Sequence, residues 1–105
     1  MINAKIVRDS SGKVISFTFE NHGESIACAA VSMLVLNTVN SIELLTEDDF
    51  AYEYNEKKGG YLSFALTDPS YRSDGIGILL DAMLIGLAFA KKEHPDEIEI
   101  TETIV

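Results

Sequence analysis

The chain has 105 residues, enough for one modest hydrophobic core, so a single domain spanning residues 1–105 is expected. Hydrophobic residues make up 47%, too many for a disordered chain, and a net charge of −9 disfavours direct contact with a phosphate backbone. A lone cysteine cannot form an internal disulfide, no basic leader followed by an apolar run opens the sequence, and the apolar stretches are interrupted by Ser, Asn and Asp, so a cytoplasmic protein with no membrane span is expected.

Residues 2–8, INAKIVR, alternate and carry β-branched side chains, which predicts a strand. DSSG makes a turn. KVISFTFE sets Ile15, Phe17 and Phe19 against Val14, Ser16 and Thr18, a second strand closing a hairpin. After the loop NHGE, Ser25 is a good N-cap for a long helix, IACAAVSMLVLNTVNSIELL. That helix is apolar nearly all round, so it should be buried on more than one side, and a second subunit is one way to cover it. FAYEYNEKKGGYLSFAL is an aromatic-rich hairpin whose Gly59 and Gly60 supply the positive φ of a tight turn. TDPSYRSDG is a loop. A second helix runs from Ile76 to His94, with Lys91, Lys92 and His94 near its negative end and Pro95 stopping it. EIEITETIV is the last strand. The order is ββαββαβ, an α+β fold with two helices packed on a mainly antiparallel sheet. Val31, Leu34, Leu36, Val39, Leu80, Leu84 and Leu87 are the expected helical core.

Chemistry concentrates in NHGESIACAAVSML, residues 21–34. With Ser25 as N-cap, Cys28 is the third helical residue. There the helix dipole and unpaired backbone N–H groups favour a thiolate, and the same groups can donate to an oxyanion. His22, in the loop just upstream, can serve as a general base. The opposing reading is also open at this point. Free cysteine is among the most buried residue types, ACAAV looks like core packing, and a His/Cys pair at this spacing arises by chance. One cysteine and two histidines are a poor inventory for zinc, so neither a metal nor another cofactor is expected.

At these residues the sequence resembles the ribosomal-processing cysteine protease (Prp) family. That family carries a Gly-His pair, a loop, and then a cysteine followed by Ala, a small residue and Ser at the start of a long helix. Cys28-Ala29-Ala30-Val31-Ser32 is the closest part. GGYLSF, the helix ending in KKEHP and the charged final strand extend the likeness over essentially the whole chain. The resemblance implies a small α+β homodimer that removes a basic N-terminal extension from a large-subunit ribosomal protein. It implies Cys28 as nucleophile and His22 as general base, with Ser25 and Ser32 in support. Two departures stand out: Asn21 replaces the usual Gly before the histidine, and the His–Cys loop is short. Glu20 and Glu24 are the local candidates for an orienting carboxylate.

Two other function classes compete. Arg72-x-x-Gly75-x-Gly77 fits the pyrophosphate loop of acetyl-CoA-dependent N-acetyltransferases. Asp74 would set a negative charge where phosphate lies, and too little chain follows for that fold. The other is a non-catalytic acidic dimer that only binds a basic peptide.

Overall fold

A computed structural model describes residues 1–21, 25–55 and 60–105. β1 (Ile2–Arg8) and β2 (Val14–Glu20) form the first hairpin, and α1 (Ile26–Leu45) follows. β3 (Phe50–Asn55) and β4 (Tyr61–Leu66) form the second, ahead of α2 (Asp74–Glu93) and β5 (Ile98–Ile104). This is the expected order. The five strands make one sheet in the order β3-β4-β2-β1-β5. Every pairing is antiparallel except β1 with β5, which is parallel.

Alternation sends one face of each strand to the core. Ile2, Ala4 and Ile6, then Phe17 and Phe19, then Leu62, Phe64 and Leu66 are all buried. Ser16, Thr18 and Ser63 lie on the other face, so both helices cover the same side of the sheet. Phe64 organises the centre of the layer, stacked on Phe17 at 4.9 Å and tilted against Phe50 at 5.1 Å. One strand departs from simple alternation. Val7 pairs with Ser16 but Arg8 pairs with Val14, so Ile15 is an extra residue in a β-bulge. The bulge reverses the face: Val14 is buried and Ile15 only half-buried, the opposite of the sequence reading.

α1 is capped as expected, with Ser25 Oγ accepting from Cys28 N–H at 3.2 Å. Val31, Val35, Val39 and Ile42 form its buried stripe, while Leu34 is partly buried. Leu36 departs from expectation, at 37% exposed. In a helix apolar all round, periodicity does not say which stripe faces the sheet. By length and composition α1 is apolar enough to cross a bilayer, but its stripe is packed into the core of an α+β layer.

α2 begins two residues earlier than the periodicity suggested. Ser73 is its N-cap, accepting from Ile76 N–H at 3.1 Å. The cap is itself gripped by Asp48 in the α1–β3 connection. The Ser73 N–H donates to Asp48 Oδ2 at 2.8 Å and its hydroxyl to Oδ1 at 2.5 Å. Ile76, Leu80, Met83 and Leu87 are buried, with Leu84 partly so. At the helix crossing, a Cβ on Gly86 would stand 2.7 Å from Leu34 Cδ1. Gly86→Val is therefore expected to lower stability by about 1–3 kcal/mol in urea unfolding. Gly86→Ala should cost less, because alanine's helix propensity offsets about 1 kcal/mol of the crowding.

Candidate active site

The sheet topology gathers one end of the molecule. β2 runs antiparallel to β1 and β5 runs parallel to it, so the start of β1, the end of β2 and the start of β5 share an edge. Ile2 N–H donates to the Glu97 carbonyl at 2.8 Å there. Lys91 Nζ donates to the Ile98 carbonyl at 2.6 Å and ties the end of α2 to the same place. The first turn of α1 lies over this edge. Together they enclose a cavity of about 260 Å³ lined by Met1, Ile2, Asn21, Ser25, Cys28, Asp96 and Glu97.

Cys28 is recessed but reachable, at 6% exposed. Its backbone N–H is engaged by Ser25 Oγ, and the Ala29 N–H reaches the Ser25 carbonyl at 3.0 Å. The sequence reading treated first-turn N–H groups as open to an oxyanion; the one on Cys28 itself is occupied by the cap. Ser32 stands one turn further along α1, half-buried.

His22 and Glu24 lie outside the described residues. Glu20, the other carboxylate candidate, is directed to Lys5, with Nζ 3.4 Å from its Oε1. Asn21 has φ 65, the left-handed region where glycine is favoured and asparagine is among the best tolerated alternatives. The departure from glycine at this position thus keeps the backbone conformation a glycine would take.

The sequence marks Pro95 as a helix stop and gives no signal for Asp96 and Glu97, which follow it. They add two carboxylates to the rim of the thiol's cavity. Glu97 Oε2 also lies 3.2 Å from Nδ1 of His94. A larger cavity, about 520 Å³, lies at the far end of α1 between Leu36, Glu43, Asp48 and Tyr52. No cysteine or histidine lines it among the described residues, so chemistry rather than size selects the smaller one. Also among the described residues, no group of three His, Cys, Asp or Glu side chains is placed to hold a metal ion.

The rival loop is accounted for structurally. Arg72 donates to the Val14 carbonyl at 2.7 Å, and a Cβ on Gly77 would sit 3.1 Å from the Arg72 guanidinium. Its glycine accommodates packing of the chain's own arginine at the start of α2.

A recessed cysteine in the first turn of a helix, facing a small polar cavity, is an arrangement that thiol chemistry can use. The comparisons with known proteins agree. Residues 1–99 match the family described as cysteine protease Prp. The ribosomal processing cysteine protease Prp of Bacillus subtilis strain 168 is 27% identical over 114 aligned residues covering all of both chains. The crystal structure of the essential ribosomal processing protease Prp from S. aureus, in complex with a covalently linked product peptide, superposes with a TM-score of 0.87 at 26% identity. That match covers 97% of this chain and 99% of the other. SMU.848 from Streptococcus mutans superposes with the same TM-score of 0.87 at 28% identity, over 100% of this chain and 96% of its own. The chain belongs to the cysteine protease Prp family, and it is a cysteine protease rather than an acetyltransferase or a purely binding module.

Proposed function

We propose that this chain removes a basic N-terminal extension from a large-subunit ribosomal protein, with Cys28 as nucleophile and His22 as general base. The observation that carries the reading is Cys28 in the first turn of α1, on a cavity rimmed by Asp96 and Glu97, in a chain of this family. Relatives named as ribosomal processing proteases support the substrate class. The two carboxylates and the net charge of −9 suit a basic peptide, which they draw in electrostatically.

In the proposed reaction His22 takes the thiol proton, and the thiolate attacks the scissile carbonyl carbon. The carbonyl π pair moves onto oxygen. Collapse of that intermediate expels the new N-terminus of the mature protein as an amine, which receives the proton from the imidazolium. The extension stays on Cys28 as a thioester. Water, deprotonated by His22, attacks the thioester, and the thiolate leaves. Ser25 fixes the turn that carries the sulfur, and Ser32 supports it from one turn below. The test is incubation with a precursor bearing its extension, read by mass spectrometry. His22→Ala is expected to lower the rate on the order of 10³-fold. His94→Ala, which removes only the partner of Glu97, should leave most of the rate. The reverse ranking would move the base to His94.

The protein is read as a cytoplasmic homodimer that binds neither nucleic acid nor membrane. Support for the dimer is apolar surface left open on both helices: Ile26, Met33 and Leu44 on α1, and Ile78, Ile85 and Phe89 on α2, are each at least 61% exposed. A particle of twice 11.5 kDa is expected by light scattering at micromolar concentration, with Ile85→Asp shifting it toward monomer. A wild-type monomer would contradict the dimer.

A further inference from the structure

The thiol's cavity has an imbalance of hydrogen-bonding groups. Its lining side chains divide sharply among the described residues. The side chains of Met1 and Ile2 are apolar, while those of Asp96 and Glu97 are carboxyl groups. Ser25 Oγ accepts from the Cys28 N–H at 3.2 Å, so the nucleophile's own amide is held back from the cavity, while the Ser25 hydroxyl keeps its own O–H donor. A carbonyl oxygen gaining negative charge there lacks the nucleophile's own amide as a donor. Asn21 also lines the cavity, and its carboxamide carries two N–H donors. It also holds φ 65, which glycine adopts freely and asparagine adopts less readily. The backbone conformation alone does not require asparagine. What asparagine adds over glycine is the carboxamide.

We infer that the Asn21 carboxamide donates a hydrogen bond to the substrate carbonyl oxygen as Cys28 attacks it, making Asn21 a catalytic residue of the site. This rests on the proposed role of Cys28. The amide gives no proton away. It stabilises the oxygen that receives the carbonyl π pair, and the bond relaxes when the carbonyl reforms. Preorganised donors of this kind act where charge develops, so they raise the rate of addition to a carbonyl and leave a simple displacement untouched.

That difference separates the two readings. p-Nitrophenyl acetate acylates a thiolate through an oxyanion: sulfur adds to the carbonyl, p-nitrophenolate leaves, and an acetyl thioester remains on Cys28. Iodoacetamide alkylates the same thiolate by displacing iodide, with no oxyanion. In Asn21→Gly, which keeps the backbone conformation, acylation is expected to fall on the order of 100-fold. Alkylation should stay within about twofold, because it tracks only the thiolate and its access. Asn21→Asp, which replaces the donors with a charge, should acylate more slowly still. Wild-type acylation in Asn21→Gly would overturn the inference. So would a parallel fall in both reactions, which would place the effect on the thiol. A wild-type Cys28 that alkylates no faster than in unfolded protein and is not acylated would fail the protease assignment of Cys28 itself, and this inference with it.

Discussion

Cys28→Ser is expected to reduce precursor cleavage on the order of 10³-fold or more while leaving peptide binding intact. A serine hydroxyl is far harder to ionise than a thiol, and a helix N-terminus supplies only a fraction of the difference. The shapes of the two side chains are nearly the same, so the cavity and its carboxylates persist. The fold should persist too. Cys28 is a small residue with 6% exposure, and α1 is held by Val31, Val35, Val39 and Ile42 rather than by its first turn. Because nucleophile and base act as one unit, Cys28→Ser combined with His22→Ala should be little slower than either alone. Steady-state cleavage and peptide binding by the three variants check this. Near-wild-type cleavage by Cys28→Ser would remove the thiol from the mechanism.

Asp48→Ala, away from the site, is expected to be strongly destabilising, costing about 2–3 kcal/mol. The carboxylate is buried at 7% exposure and receives both the N–H and the hydroxyl of Ser73, the residue that caps α2. Removing it leaves those donors unpaired and loosens the helix start. For a domain of this size the loss corresponds to roughly 10–20 °C in Tm. Acidity should act through the same group. Burial works to raise the Asp48 pKa, but the two Ser73 hydrogen bonds, with those of Thr46 and its own backbone, outweigh it. The carboxyl is held below the ordinary aspartate value of 3.8. A lowered folded-state pKa means stability is fully present above the unfolded value and is lost as pH falls through the folded one. Asp9 and Asp68, held down by hydrogen bonds from Ser11 and Ser70, act in the same direction. Urea unfolding as a function of pH below about 5 should therefore show a steeper loss for wild type than for Asp48→Asn.

The parts of the fold legible in the sequence were those set by local pattern. Alternation marked all five strands. Ser25 announced α1 and placed Cys28 in its first turn, where the structure has it. What failed depended on context that one strand or helix does not carry. The Ile15 bulge comes from pairing across a hairpin, and it exchanged Val14 for Ile15 in the core. Ser73 was not read as a cap because Asp74 and Gly75 look like loop, and its hold comes from Asp48, 25 positions earlier. Leu36 belongs to a helix with no polar face to orient it. Of the candidate site, the sequence marked the cysteine and its capping serine. Asp96 and Glu97 come to line the same cavity as Cys28 through the parallel pairing of β5 with β1, a neighbour relation between the two ends of the chain that no local motif encodes. Asn21 was noticed as a departure, yet its left-handed backbone is what gives the substitution a meaning.

The most direct test of Cys28 as nucleophile is to trap its acyl intermediate. The precursor is mixed with wild-type protein, quenched in acid within a turnover and digested, and the fragment containing Cys28 is weighed. The account predicts an added mass equal to the extension on the N-terminal side of the cleaved bond, joined at Cys28 and lost on treatment with hydroxylamine. Cleavage that proceeds with no adduct, and that continues after Cys28 has been fully alkylated, would contradict it.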